Sequence, residues 1–420
     1  MDRIVVHRSG PLHGEVVVPG AKNSVLKLMV GSLYATGEHR LSNVPDISDV
    51  RTMGSLLLSL GIDVTYRPES HELVLVNAGG VGFNAPSEQV ESIRASINVL
   101  GPLLACCGRV RLDMPGGDDF GSRPIDMHIA GLSAMGAEFD TAVDHIEAVA
   151  EHLHGADISL DFPSVGATEN IVCAAVHADG VTTLRNAARE PEVADLCDLL
   201  VEMGARIDGI GSSVVVIEGV ARGSLRPVSH AVVNDRIQAA TYMAAAAVTG
   251  GDVMVRGARA DHMQMFLRKI SDMGVDVIPS SDGVRVSSSG RLRNVDVQTL
   301  PYPGVATDYK PLLVTMMAVA EGVGVMTENL YPGRFRYVEE LSKLGADIRT
   351  DGHHAIVHGV EQLRGAAVVA PDIRAGAALV VAGLVADGRT VISGLEHVER
   401  GYDDLLGRLG ALGAHIEPAV

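Results

Sequence analysis

The chain has 420 residues, with 34 Lys+Arg against 52 Asp+Glu and a formal net charge of −18. That length suits two or three domains, each able to bury a core, and so acidic a surface argues against nucleic acid or an anionic membrane as partner, since both require clustered Lys and Arg. The stretch MDRIVVHRSGPLHGEVVVPG lacks an apolar signal core, and no run approaches the ~18 apolar residues of a membrane span. Four cysteines (Cys106, Cys107, Cys173, Cys197) form neither a disulfide framework nor a zinc spacing. The expectation is a cytoplasmic globular protein with no membrane insertion.

With 47 Gly, no Trp, 8 Tyr and 6 Phe, the core falls to Val, Leu, Ile, Ala and Met, which let helices lie close to sheets. One phrase recurs in chain order: an amphipathic helix ending on an apolar residue, then Gly, then a strand. It reads SLLLSLGIDVTY at Gly61, GLSAMGAEFD at Gly136, LLVEMGARID at Gly204, LRKISDMGVDVI at Gly274, VEELSKLGADIR at Gly345 and LGRLGALGAHIE at Gly413, at spacings of 68 to 75 residues. Leu or Met at i, i+3 and i+4 gives each helix a buried face, and Gly stands where a helix C-terminus wants positive φ. The alternation in 346–360 predicts a hairpin turning at Asp351-Gly352. Segments 309–322 and 374–388 are apolar nearly all round and read as buried helices, too short to span a bilayer. Six such modules most simply form two pseudo-threefold α/β globes with a cleft between, the alternative at the same spacing being one continuous α/β sheet.

The residues that break this pattern carry the chemistry. Lys22-Asn23 follow a Gly turn and open a helix, where backbone N–H groups and a lysine meet an anion, or where a solvated first-turn lysine stands. Arg94, Arg334, Arg374 and Arg400 each lie beside an apolar helix or a glycine, suited to bidentate capture of phosphate or carboxylate if they converge and to surface ion pairs if they do not. Loop 113–126, DMPGGDDFGSRPID, is Gly-rich and reads as a lid or a plain surface loop. Asp308, between a Pro-Gly turn and a buried helix, is an N-cap or a general base. His353-His354 read as solvated. No GxGxxG, Walker A, HExxH, GxSxG or CxxC motif occurs, so neither a nucleotide cofactor nor a metal is implied.

The runs PGAKNSVLKLM, PGGDDFGSRPIDMH, FPSVGATENI, NAAREPEVADL, NDRIQAATYM, TDYKPL, RFRYVEEL, DIRAGAALV and ERGYDDL, in this order, resemble the UDP-N-acetylglucosamine 1-carboxyvinyltransferase family of enolpyruvyl transferases. Ala21-Lys22-Asn23 differs from the Ser-Lys-Ser-type motif of the sister family acting on shikimate 3-phosphate. The resemblance implies an inside-out α/β barrel fold in two globes, of six βαβαββ-like modules, three per globe. One globe would be 22–229, carrying the lid loop 113–123, and the other 1–21 plus 230–420. It implies transfer of the enolpyruvyl group of phosphoenolpyruvate to the 3-hydroxyl of UDP-N-acetylglucosamine, without a cofactor, in the cytoplasm, at the first committed step of peptidoglycan precursor synthesis. Lys22, Arg123 and Arg400 would hold phosphoenolpyruvate, with Arg334 and Arg374 nearby. Asn23, Arg94, Arg123, Pro124, Ile125, Asp126, Met127, Ser164, Val165, Asp308 and Leu330 would contact the nucleotide sugar, and Asp308 would take its hydroxyl proton.

The chain departs from the family pattern at Asp118, where most members have Cys. A carboxyl there can be the general acid if a closed lid raises its pKa, and the epoxide fosfomycin, which alkylates the Cys, would not inactivate the protein. Ala306, Tyr331-Pro332-Gly333 and Glu396–Glu399 also depart. They are drift, or the mark of a different uridine nucleotide acceptor such as UMP. A catalytically silent sugar-nucleotide-binding relative would lack Lys22, Asp308 or Arg400, and all three are present.

Overall fold

The structure, a computed structural model, describes residues 3–85, 87–116, 124–141 and 145–419. At each of the six repeat glycines the chain passes from helix to strand in the left-handed region, with φ between +90° and +114°. A side chain there would be strained whatever the space around it, which is why the repeat keeps Gly. One helix per module is buried along most of its length: α1 Lys22–Leu28, α2 Leu100–Cys107, α3 Val165–Ala175, α4 Arg236–Thr249, α5 Lys310–Val319 and α6 Ile373–Gly383. Their composition explains the fit: a Cβ on Gly101 of α2 would stand 2.2 Å from the Asn170 carbonyl oxygen of α3, and one on Gly383 of α6 would stand 2.9 Å from Val6.

Six sheets lie around these helices among the described residues, and none closes into a barrel. Five of them share one plan, and the sheet of Arg109–Asp113, His145–Val149 and Glu138–Thr141 has only its three antiparallel strands. In the sheet of Val297–Gln298, Val323–Thr327, His354–His358 and Asp347–Asp351, the first pair is parallel and the others antiparallel. The same order recurs in the sheet built on Asp157–Ser159 and Val181–Arg185 and in that built on His13–Val17 and Asp252–Arg256. With the intervening helices this is the βαβαββ module. The hairpin in 347–358 turns at Gly352-His353, one residue beyond the predicted position, with Asp351 opposite His354. Gly352, at φ +57°, takes the first central position of the two-residue turn, where positive φ suits Gly.

The chain forms two compact units, residues 3–19 with 234–419, and 20–116 with 124–233. Each has its own apolar core and three of the six sheets. The second unit is inserted between the strand His13–Val17 and α4, two elements of one module of the first. No helix among the described residues is long and apolar enough to cross a membrane.

Candidate active site

In the unit that holds α4, α5 and α6, each buried helix opens with an Asp and a cation. Asp235 caps α4, accepting from the Ile237 and Gln238 amides at 2.8 and 3.1 Å, and Arg236 follows it. Asp372 caps α6, accepting from Arg374 and Ala375 at 2.9 and 3.0 Å. Asp308 lies in the short turn Thr307–Tyr309 that leads into α5 and caps nothing. Its carboxylate lies instead between two guanidiniums: Arg334 Nη1 donates to Oδ1 at 2.8 Å and Arg374 Nε to Oδ2 at 3.3 Å.

These arginines are almost fully buried, whereas the Asp308 side chain keeps 23 % of its surface exposed. Burial opposes its charge, but Arg374 and then Arg334 outweigh that and hold the carboxyl well below the usual range. In return, against burial, the Asp308 carboxylate raises both guanidiniums. Arg374 also stands over the Tyr402 ring at 5.3 Å and keeps Nη1 buried with no hydrogen-bond partner among the described residues. Arg236 donates to the Tyr309 hydroxyl at 3.4 Å. Arg236 and Arg374 at the openings of α4 and α6, together with Arg334 from the loop before Tyr337–Lys343, suit a small anion.

Glu328, fully buried, holds this arrangement from behind. Its Oε1 accepts from the Thr299 hydroxyl at 2.7 Å and from the Leu330 and Tyr331 amides at 2.8 and 3.1 Å. Its Oε2 takes Lys310 Nζ at 2.9 Å and the Thr307 hydroxyl at 2.7 Å. Against burial, Lys310 and these hydroxyls keep its carboxyl below the ordinary value. Lys310 donates also to the Arg334 carbonyl and lies 4.0 Å from the Phe335 ring centre. One carboxylate thereby ties the turn carrying Asp308 to the loop carrying Leu330 and Arg334.

In the other unit, a second group stands at the starts of its own buried helices. Lys22 opens α1, is 8 % exposed and pairs with Asp49 at 2.8 Å. Asn23 follows it, and Lys27, one turn on, donates to the Asn23 carbonyl and pairs with Glu169 of α3 at 3.3 Å. Arg94 leads towards α2 and donates to the Pro115 carbonyl at 3.1 Å. Ser164 caps α3, accepting from Ala167 at 3.4 Å, and Val165 is its first residue. Pro124 and Ile125 precede the helix Asp126–Ala134, whose first turn carries Asp126 and Met127. His128 in that helix meets Asn170 Nδ2 at 3.1 Å, and burial, helped by Arg94, lowers its pKa to about 4.

Of the sequence-predicted residues, Asp308, Arg334 and Arg374 meet directly, while Arg400 ends the short helix after Leu395–Glu399. Asp118 and Arg123 lie outside the described residues. The sequence reading missed Glu328, Lys310, Thr307, Asp372 and Arg236. A lysine in an otherwise apolar helix, and an Asp just ahead of an Arg at two other helix starts, were the available signals. Among the described residues no group of three or more metal-ligating side chains is found.

The family described as EPSP synthase (3-phosphoshikimate 1-carboxyvinyltransferase) matches residues 6–409. The UDP-N-acetylglucosamine 1-carboxyvinyltransferase of Corynebacterium jeikeium is 48 % identical over 418 residues, 99 % of each chain. That of Mycobacterium leprae is 48 % identical over 416 residues, again 99 % of each. The crystal structure of the enolpyruvyl transferase NikO from Streptomyces tendae superposes with a TM-score of 0.89, covering 99 % of this chain and 98 % of that one, at 25 % identity. The two-domain inside-out α/β architecture agrees with the solved enolpyruvyl transferase, and the chain belongs to the UDP-N-acetylglucosamine 1-carboxyvinyltransferase family of enolpyruvyl transferases.

Proposed function

We propose that this enolpyruvyl transferase moves the enolpyruvyl group of phosphoenolpyruvate onto the 3-hydroxyl of UDP-N-acetylglucosamine and releases phosphate. This is the first committed step of peptidoglycan precursor synthesis, carried out in the cytoplasm. The observation that carries the reading is Asp308 held between Arg334 and Arg374 at the helix mouths, in a chain 48 % identical to transferases named for that acceptor.

In the first step the sugar oxygen attacks C2 of phosphoenolpyruvate, its proton passes to Asp308, and C3 receives a proton from Asp118. The tetrahedral ketal then loses a C3 proton and the phosphate, restoring the double bond. Lys22, Arg123 and Arg400 hold the phosphate and carboxylate of phosphoenolpyruvate, supported by Arg334 and Arg374. Asn23, Arg94, residues 123–127, Ser164, Val165 and Leu330 line the acceptor. Asp308 bound by two guanidiniums is a poor base. It gains basicity as Arg334 and Arg374 turn to the anionic substrate, so the base is released when the donor is in place.

Phosphate release from phosphoenolpyruvate, with UDP-N-acetylglucosamine and separately with UMP as acceptor, tests this. Turnover with the sugar nucleotide that falls by about 10³-fold or more in Asp308→Ala supports the reading. Turnover with UMP alone moves the acceptor assignment to a different uridine nucleotide and gives Ala306 and Tyr331-Pro332-Gly333 a role. No turnover with either overturns it.

A further inference from the structure

The unit built on α1, α2 and α3 holds a cavity of about 430 Å³ lined by residues of its opposite end. Its walls are Leu33 and Tyr34 beyond α1, Cys106 and Cys107 at the end of α2, His177 beyond α3, and the loops around Gly79-Gly80 and Arg222-Gly223. From Val165 to His177 is twelve residues, so at 1.5 Å per helical residue the cavity lies roughly 18 Å from the α3 mouth that carries Ser164. It belongs to no part of the site described above.

Its charge is unusual for this chain. Among the described residues no Asp or Glu lines it, although the protein carries 52 of them. Six arginines of the same unit (Arg40, Arg51, Arg67, Arg111, Arg185, Arg206) pair with carboxylates. Arg109 and Arg222, both at the cavity, have no carboxylate partner among the described residues. Arg109 instead has its guanidinium carbon over the Phe83 ring, 3.6 Å from its centre, a cation–π contact that helps hold the side chain in place.

The walls are built rather than loose. Asn77 accepts from the Gly79 amide at 2.8 Å and donates to the Ser32 carbonyl at 2.9 Å, setting the Gly-Gly loop against the end of the first helix. His177 Nδ1 bonds to the Val220 carbonyl at 2.9 Å, and its ring meets Tyr34 edge-on at 5.5 Å. A Cβ at Gly79, Gly80 or Gly223 would meet nothing within 4 Å, so backbone alone forms that rim. Two guanidiniums, aromatic rings and open backbone amount to a receptor for charge and a flat ring together.

We propose that this cavity binds a small organic anion, a phosphate or carboxylate carried on a planar ring, held by Arg109 and Arg222 with the ring against Phe83, Tyr34 and His177. The site is independent of the enolpyruvyl-transfer reading. Cys107 reports its occupancy locally, because it lines the cavity and is part-exposed. The test is the rate of Cys107 alkylation by N-ethylmaleimide, followed by mass spectrometry, with phenyl phosphate, inorganic phosphate or phenol added to the full-length protein. Phenyl phosphate slows labelling, phenol does not, inorganic phosphate does so only at higher concentration, and Arg222→Ala or Arg109→Ala raises the concentration needed by about tenfold, the loss of one charge-assisted contact. The Arg222→Ala protein keeps its phosphoenolpyruvate turnover. Absence of protection by phenyl phosphate up to about 10 mM, weaker than any useful site, overturns the proposal. So does equal protection by phenol, or protection unchanged in both arginine variants.

Discussion

At the scale of single residues, the chemistry depends on charges placed where an apolar interior would otherwise exclude them. Glu328 makes five contacts with its two oxygens and is the counter-charge of Lys310. Removing one partner of a buried pair costs about 3–5 kcal/mol, whereas replacing both by apolar groups is often close to neutral. Glu328→Gln is therefore expected to lower the unfolding free energy by roughly that amount, and Glu328→Gln/Lys310→Met to regain at least about 1 kcal/mol of it. A double variant no better than the single one in denaturant titrations would show that Lys310 gains nothing from the pair. Asp118 carries a different expectation. A carboxylate in place of the usual thiol offers fosfomycin no sulfur to alkylate, so preincubation with the drug is expected to leave both activity and intact mass unchanged. A mass increase of one drug molecule on the segment containing Asp118 would contradict this.

At the scale of elements, contact distance between the buried helices outweighs helix propensity. Alanine is the better helix former by about 1 kcal/mol, and Gly101 in α2 is therefore a local fault. It is kept because α3 passes so close, with the Asn170 carbonyl where a Cβ would lie and the Asn170 side chain accepting from the Gly101 amide at 2.7 Å. Gly101→Ala is expected to destabilise by about 2–3 kcal/mol net, overpacking exceeding the propensity gain. Unchanged or raised thermal stability would mean that α2 and α3 can part without cost. The same closeness lets Asn170 reach His128, Ile97 and Gly101 at once, so a substitution at Asn170 would disturb three elements together.

At the scale of the whole molecule, the many exposed ion pairs have small individual value, and pH acts through a few buried groups. His230 lies in Ser229–Ala231, just before the chain passes from one unit to the other at 233/234. Burial opposes its charge, but hydrogen bonds to Asp195 and Glu202, each 2.9 Å long, outweigh it and lift its pKa to about 9. A group raised from 6.5 in the unfolded chain gives its stability in full below about pH 6.5 and loses it as pH rises towards 9. Glu202 is half-exposed, so the contribution is about 1–3 kcal/mol. Unfolding free energy is expected to fall by that amount between pH 6.5 and 9, and His230→Gln to flatten the fall. An identical slope in the variant would assign the dependence to other groups.

The repeat was legible because its determinants are local. Apolar residues at helical spacing, a Gly at each helix end and alternation in the following strands act within one module, so six modules and the buried helices of 309–322 and 374–388 could be read directly from 420 letters. The hairpin turn missed by one residue because Asp-Gly and Gly-His are both acceptable turn pairs, and only the pairing of Asp351 with His354 chooses between them. The chemistry was legible in part. Asp308, Arg334 and Arg374 stood out as charges beside apolar helices, but their meeting joins positions up to 66 residues apart. Glu328 gave no signal, since a glutamate after a strand is ordinary until the fold surrounds it. Sequence alone determined the modules because secondary structure follows from neighbours along the chain. The tertiary structure decided which charges share a low-dielectric site, because that depends on which helix ends face one another, and those facing ends set the carboxylate of Asp308 between two guanidiniums.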